Sequence, residues 1–204
     1  MTTGPRTNWI SLAWAPMKSG KSNWLFTRLN TELCRNRQVV YYKVSLKVSE
    51  PCVCESESHS GMSFNGPSSF YIPPEFDFLN LNIRGMYDVF GIEEVQFLST
   101  QSVEQIVVLS EKFGKRVYAT GLDLDFKARP FVATSMLAAF ADETEKPHES
   151  KCTLCGKEAR YSYRISGGHD QNEEDESGKN YVPLCKVCYI SVVDQHGLVG
   201  GCIL

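Results

Sequence analysis

The hydrophobic positions of this chain form short apolar runs that alternate with segments of helical spacing. Apolar, aromatic and β-branched residues fill Trp9 to Trp14 and Val39 to Val44, which predicts two buried strands. Between them, Leu25, Leu29 and Leu33 are spaced by four, which predicts a helix. The chain is therefore expected to begin with a strand, a loop, a helix and a second strand.

The same alternation continues through the middle of the chain. The segments "YDVFGIEEV" and "RVYATGLDLDF" predict a third and a fourth strand, and "TQSVEQIVVLSEKFG" predicts a helix that ends before Gly114. Residues 45–74, rich in Ser, Gly, Pro and Glu, show no clear period and predict a long connection that could act as a flap. Strands that alternate with helices predict an α/β domain with a mostly parallel sheet flanked by helices.

The pattern changes near Ala141, where a polar segment leads into two pairs of cysteines. A chain of 204 residues, 42% of them hydrophobic, can bury one main core and carry one small appendage. We therefore predict an α/β domain over residues 1–149 and a small metal-held domain over residues 150–204.

Charge and hydropathy restrict the possible partners. The formal net charge is -3, so no general basic field attracts nucleic acid or anionic lipid. The N-terminal segment lacks the pattern of a secretory signal, and the chain has no run of about 18 apolar residues. We expect a cytoplasmic protein that has neither a membrane nor a nucleic acid as partner.

The turn between the first strand and the first helix, "APMKSGKS", is similar to the phosphate-binding loop GxxxxGK[ST], with Ala15 in place of the first glycine. Alanine weakens this motif without abolishing it, because it is the least intrusive replacement for glycine. The alternative is a chance "SGKS" at a helix start, but the predicted strand before it and helix after it favour a nucleotide site. The lysine would neutralise the outer phosphates, and the last serine would bind magnesium. The predicted phosphate-binding residues are Ala15, Pro16, Met17, Lys18, Ser19, Gly20, Lys21 and Ser22.

Two adjacent acids, Glu93 and Glu94, stand where the third predicted strand ends. Neighbouring residues of a strand point to opposite faces, but at its carboxyl end both side chains could reach a crevice. Kinases with a phosphate loop need an acid near magnesium and a group that positions or deprotonates the acceptor hydroxyl. A solvated loop start is the alternative for two glutamates without further context.

The two cysteine pairs, Cys152-x-x-Cys155 and Cys185-x-x-Cys188, have the spacing with which each pair chelates one side of a tetrahedral zinc ion. Four cysteine ligands leave no open coordination position, so the zinc would be structural. Buried or disulfide-bonded thiols are one alternative. A zinc ribbon that binds nucleic acid is another, but the segment between the pairs is acidic and would repel phosphates, with Asp170, Glu173, Glu174, Asp175 and Glu176.

Taken together, "APMKSGKS", "GIEEVQF", "GLDLDFKARPF", "CTLCGKEARYSYR" and "YVPLCKVCY" resemble, in order and spacing, the zinc-containing thymidine kinase family of the cytosolic and viral type. The likeness extends from about Trp9 to Tyr189. It implies a P-loop NTPase-like fold with a C-terminal lasso domain, held by zinc, that closes over the nucleoside. It further implies a homotetramer that transfers the γ-phosphate of ATP, with Mg²⁺, to the 5′-hydroxyl of thymidine.

The resemblance also implies roles for single residues. Glu94 corresponds to the catalytic base, and Glu93, together with Ser22, to the magnesium position. For an isolated phenylalanine, core packing would be the simpler explanation, but two phenylalanines stand inside the family's motifs. The implied nucleoside-binding residues are Met17, Phe97, Phe126, Ser162 and Tyr181.

Several positions depart from the family pattern. The Asp-x-Arg element that follows the second strand in the family is replaced by "SLKVSE", where Lys47 could supply part of the missing positive charge. His59-Ser60-Gly61 fits a His-x-Gly element of the flap. Gly167-Gly168 resembles the lasso glycine pair, but "HDQNEEDESGKN" intervenes before Tyr181, so either the alignment shifts or an acidic loop is inserted. The alternative function is a catalytically degenerate relative that binds nucleoside or nucleotide in a regulatory or structural role.

Overall fold

The computed structural model describes residues 9–58, 61–166 and 180–197. Its strands are β1 (Trp9–Trp14), β2 (Val39–Val44), β3 (Cys52–Val53), β4 (Ser69–Ile72), β5 (Val89–Glu93), β6 (Arg116–Gly121), β7 (Glu143–Glu145), β8 (Tyr161–Arg164) and β9 (Tyr181–Leu184). Its helices are α1 (Lys21–Cys34), α2 (Leu81–Met86), α3 (Thr100–Glu111), α4 (Val132–Phe140) and α5 (Lys186–His196).

Seven strands form one sheet in the order β3-β4-β2-β5-β6-β1-β7, and all pair in parallel except β3, which runs antiparallel to β4. This arrangement confirms the predicted α/β class with a mostly parallel sheet. Parallel strands have their carboxyl ends at one edge, and in open α/β sheets this edge is where ligands bind. The loops that follow β1, β5 and β6 therefore meet at the same edge.

Both faces of the sheet are buried, as is usual for parallel strands. On one face, Leu25 and Leu29 of α1 pack with Tyr41 of β2. On the opposite face, Tyr42 packs with the side chains of α3, including Ile106. The change of face between two consecutive tyrosines follows from the alternation of side chains along a strand.

The long connection predicted for residues 45–74 contains two short strands that the sequence analysis did not predict. Strand β4 pairs in parallel with β2, and β3 pairs with β4 at the edge of the sheet. Strands of two and four residues are too short to show a period. Their structure depends on a neighbouring strand with unpaired backbone groups, which the local sequence does not reveal.

The C-terminal part consists of the antiparallel hairpin β8-β9 followed by α5. Tyr163, Leu184 and Val192 form its own small apolar cluster, separate from the clusters of the large sheet. The hydroxyl of Tyr189 donates to the carbonyl oxygen of Phe126 at 2.7 Å, which joins this part to the loop after β6. Within the described ranges, none of the helices combines the length and the apolar character needed to cross a membrane.

Candidate functional site

The phosphate loop follows β1 and leads directly into α1. Lys18 and Gly20 have φ angles of 60° and 88°, so the loop turns through the left-handed region twice before the helix begins. The left-handed φ angle of Gly20 is the reason that this position favours glycine. Ala15 is buried and its φ angle is not positive, so alanine meets no backbone strain there.

Lys21, the first residue of α1, folds back over the loop. Its Nζ donates to the carbonyl oxygens of Pro16 at 2.7 Å and of Ala15 at 3.1 Å. Burial lowers the pKa of Lys21, while the nearby negative charges of Glu94 and Asp123 oppose this shift. The ammonium group is therefore held at the centre of the loop, where the motif requires a cation.

Ser22 and Glu93 form the oxygen-rich part of the site. The Ser22 hydroxyl donates to Oε1 of Glu93, and the Tyr41 hydroxyl donates to Oε2 at 2.5 Å. Burial, followed by the charge of Glu93, raises the pKa of Tyr41 well above its usual value, so this hydroxyl stays a donor. A hydroxyl and a carboxylate in direct contact are hard oxygen ligands that one Mg²⁺ ion can bind together. These residues therefore fit the ion that the motif implies.

Glu94 leaves the strand in a left-handed conformation, with φ at 62°, which is uncommon for a residue other than glycine. Strand β5 ends at Glu93, so the alternation of side chains along the strand does not determine the direction of the Glu94 side chain. The side-chain amide of Gln96 donates to Oε2 of Glu94, and its oxygen accepts from the backbone N-H of Leu122 at 3.1 Å. Gln96 is thus fixed at both ends and orients the glutamate.

The charge of Glu94 is disfavoured by its surroundings. Burial, and then the neighbouring carboxylate of Glu93, raise the pKa of Glu94, while Lys43, Gln96 and Lys21 oppose the shift. A carboxylate with a raised pKa is a better proton acceptor than an ordinary one. The arrangement therefore suits Glu94 to general base chemistry.

The structure places the five predicted nucleoside-binding residues on both sides of the junction between the large sheet and the hairpin. The backbone N-H of Met17 donates to the hydroxyl of Ser162 at 3.1 Å, so the hairpin contacts the phosphate loop directly. Phe97 lies half-buried in the short 3₁₀ turn Val95–Phe97 that follows Glu94.

Phe126 and Tyr181 are connected through Arg164. The Arg164 guanidinium carbon lies 3.9 Å from the centre of the Phe126 ring, and Nε donates to the Tyr181 hydroxyl at 2.7 Å. Arg164 is almost fully buried. The face of Phe126 beneath the guanidinium is therefore covered by a cation in this structure.

The four predicted zinc ligands come together where the turn before β8, with Cys152 and Cys155, meets the start of α5, with Cys185 and Cys188. Their sulfur atoms all lie within 4.8 Å of one another, and the Sγ atoms of Cys155 and Cys185 are 3.6 Å apart. Zinc–sulfur bonds of about 2.3 Å in a tetrahedron separate the sulfur atoms by about 3.8 Å. The four thiols therefore fit one metal ion. Burial opposes ionisation of Cys152, but backbone hydrogen bonds outweigh it and lower its pKa to about 6.

A charged cluster joins the cysteine-rich part to the large sheet. Asp123, in the loop after β6, is buried and pairs with Arg160 and with Lys146, the latter at 3.1 Å. Burial opposes ionisation of Asp123, but the hydrogen bonds and charges of Arg160 and Lys146 lower its pKa. The hairpin is thereby attached at the edge where the phosphate loop lies.

Some predicted features lie outside the described residues. These are His59 and Ser60 of the flap, the pair Gly167-Gly168, and the acidic residues Asp170, Glu173, Glu174, Asp175 and Glu176.

Sequence reasoning assigned no role to four residues that the structure places at the site: Tyr41, Lys43, Gln96 and Arg164. Gln96 stands inside the motif "GIEEVQF", which was a signal for its importance. Tyr41 and Lys43 occupy alternate positions of β2, but their position beside Glu93 depends on which strand lies next to β5. No local pattern identifies Arg164, because its contacts join distant parts of the chain.

Comparison with known proteins gives a consistent result. The family model described as thymidine kinase matches residues 8–189. The chain is 32% identical over 190 residues to the thymidine kinase of Bacteroides thetaiotaomicron, covering 92% of this chain and 90% of that protein. It is 33% identical over 156 residues to the thymidine kinase of Pyrobaculum aerophilum, covering 75% and 80% of the two chains. The thymidine kinase of Coprothermobacter proteolyticus is 34% identical over 167 residues, covering 82% and 80%.

Proposed function

We propose that this chain, because it belongs to the thymidine kinase family, transfers the γ-phosphoryl group of ATP to the 5′-hydroxyl of thymidine and forms thymidine monophosphate. One observation about the geometry of the site supports the proposal. The phosphate loop and the paired acids Glu93 and Glu94 meet at one edge of the sheet, next to a hairpin that contacts the loop through Ser162.

The loop residues 15–22 would bind the phosphates of ATP. Lys21 would exchange the loop carbonyls that it now contacts for phosphate oxygens, which are stronger partners because they are charged. Ser22 and Glu93 would bind Mg²⁺, the latter directly or through a water molecule. When bound, the ion neutralises charge on the β- and γ-phosphates.

Glu94 would act as the general base. In the transfer, the 5′-oxygen of thymidine forms a bond to the γ-phosphorus, and its proton passes to the carboxylate of Glu94. The bond between the γ-phosphorus and the β–γ bridging oxygen breaks, and ADP leaves with the electron pair. Gln96 would hold Glu94 in position for this step, since it binds the carboxylate at one end and Leu122 at the other.

The nucleoside would bind between the two parts of the chain, in contact with Met17, Phe97, Phe126, Ser162 and Tyr181. The contact between Met17 and Ser162 supports this placement, because it brings the hairpin to the phosphate loop. We also propose residues 1–149 and 150–204 as the two domains, the second closing over thymidine with its structural zinc ion held by the four cysteines. A homotetramer in the cytoplasm follows from the resemblance to the family.

The direct test of the proposed function is an assay of phosphate transfer with purified protein, ATP, Mg²⁺ and thymidine. We expect ADP and thymidine monophosphate to form in equal amounts, and neither to form when Mg²⁺ is chelated. Thymidine binding without product would instead support the alternative of a nucleoside-binding relative that lacks the chemistry.

Replacing Gln96 tests how much the orientation of Glu94 matters. In the Gln96→Leu variant, Glu94 loses its donor and the backbone of Leu122 loses its acceptor. We expect kcat to fall by about tenfold to 100-fold, because a base that is displaced by a fraction of an ångström aligns poorly with the hydroxyl. The KM for ATP should change little, since the side chain of Gln96 forms its hydrogen bonds with Glu94 and Leu122 and not with the phosphate loop.

The matched control is Gln101→Leu, because Gln101 is exposed in the first turn of α3. Wild-type kcat in Gln96→Leu, with both proteins folded by circular dichroism, would contradict the orienting role.

A further inference from the structure

A second lysine lies at the same edge of the sheet as the phosphate loop. The parallel pairing of β2 with β5 places Lys43 opposite Glu93. Tyr41 is two residues before Lys43 and therefore points to the same face of the sheet, where its hydroxyl contacts Glu93. This is also the face against which α1 packs. Lys43 thus shares its face of the sheet with the predicted magnesium ligand.

The charge of Lys43 acts on both acids of the site. Its side chain is half-buried and interacts electrostatically with Glu93 and with Glu94. In the part of the chain that the structure describes, the ammonium nevertheless forms neither an ion pair nor a hydrogen bond. Its three N-H donors are therefore free to bind a ligand that enters the edge.

A transferring phosphoryl group is the ligand that such a cation suits. The group carries its negative charge on three oxygens, and at this edge it would approach two carboxylates, Glu93 and Glu94. Of the two lysines in the phosphate loop, Lys18 is exposed, and Lys21 supplies the cation at the centre of the loop. A second ammonium beside Glu93 would offset the repulsion between the carboxylates and the incoming phosphate.

We propose that Lys43 binds the γ-phosphoryl group of ATP, both in the nucleotide complex and in the transition state, as a second cation beside Lys21. This inference rests on the proposed function. Lys43, rather than Lys47 in "SLKVSE", would then supply the positive charge that is missing from this stretch. Lys47 is exposed, whereas Lys43 is half-buried and lies directly across from Glu93.

The test compares the binding of ATP and of ADP, each with Mg²⁺ and without thymidine, by isothermal titration calorimetry. In Lys43→Met, the apolar stem of the side chain is kept and only the ammonium is removed. We expect the dissociation constant for ATP to rise by about tenfold or more, as is typical for the loss of a charge-assisted hydrogen bond. The constant for ADP, which lacks the γ-phosphate, should change by less than about twofold, and Lys43→Arg should keep most of the ATP affinity.

The control is Lys112→Met, which makes the same change at an exposed residue beyond the end of α3. It should bind both nucleotides as the wild type does. An equal loss for ATP and ADP in Lys43→Met would overturn the assignment, because removal of a ligand to the γ-phosphate should not weaken the binding of ADP, which lacks that group. Loss specific to ATP in Lys47→Met, and not in Lys43→Met, would overturn it as well.

Kinetics separate this inference from the proposed function. With thymidine present, Lys43→Met should lower kcat by at least about tenfold and leave the KM for thymidine unchanged. Wild-type protein that binds ATP but forms no thymidine monophosphate would contradict the kinase, and the comparison of ATP with ADP would still decide the role of Lys43. Wild-type protein that binds neither nucleotide would contradict both.

Discussion

The Glu94→Gln variant is expected to lose phosphate transfer almost completely while it keeps its fold and its affinity for ATP. Glutamine has nearly the same shape as glutamate and can still accept the hydrogen bond from Gln96, but it cannot take a proton. Loss of a positioned general base should lower kcat by about 100-fold or more. The measurement is kcat for thymidine at saturating ATP and Mg²⁺.

The melting temperature distinguishes the loss of the general base from a loss of structure. Burial and the charge of Glu93 both disfavour an ionised Glu94, so a neutral glutamine should not destabilise the protein. The melting temperature of Glu94→Gln should therefore equal or exceed that of the wild type. The matched control is Glu104→Gln, on the exposed side of α3, which should keep full activity. Activity of Glu94→Gln within about threefold of the wild type would show that another group accepts the proton.

Removal of the metal is expected to have the second large effect. The small apolar cluster around Tyr163 and Leu184 is the main packing within the C-terminal part, so the metal site must contribute much of its stability. Binding of a structural zinc ion contributes about 10–16 kcal/mol in small zinc peptides. Without it, the hairpin should detach from the phosphate loop and Ser162 should lose its contact with Met17.

The Cys185→Ser variant makes this change without removing the cap of α5, because a serine hydroxyl can replace the thiol as acceptor at the helix start. We expect the zinc content to fall from about one per chain to near zero and phosphate transfer to fall by about 100-fold or more. ATP binding at the phosphate loop should persist. Metal analysis and calorimetry measure both effects.

Cys34→Ser serves as the control, because Cys34 is exposed at the end of α1 and far along the chain from the four clustered thiols. It should retain zinc and activity. Wild-type protein that contains well under one zinc ion per chain, when it is prepared without chelator, would contradict the metal assignment.

The fold could be predicted from the sequence wherever periodicity extends over several residues. The bounds of β1 and β2 agree with the predicted apolar runs, and α1 and α3 follow from the spacing of their apolar residues. Strands β3, β4 and β7 could not be predicted in this way. They are short and lie towards the edges of the sheet, so they form because a neighbouring strand offers backbone partners.

The residues of the candidate site could likewise be predicted only where they lie close together in the chain. Lys21, Ser22 and the paired acids could be named from the sequence, because their chemistry requires residues close together in the chain. The roles of Tyr41 and Lys43 could not, because they arise from the lateral order of strands, which places β2 beside β5. The contact between Arg164 and Phe126 likewise joins the hairpin to the loop after β6, and no local pattern specifies such a contact.

The hydrogen bond between Met17 and Ser162 means that the phosphate loop and the hairpin do not respond to their ligands independently. A nucleotide that straightens the loop changes the position of a backbone N-H on which the hairpin depends, and a nucleoside that moves the hairpin changes the loop. Such thermodynamic linkage is reciprocal: if one substrate changes the affinity for the other by some factor, the second changes the affinity for the first by the same factor. The affinity for each substrate thus depends on this junction as well as on the residues of its own binding site.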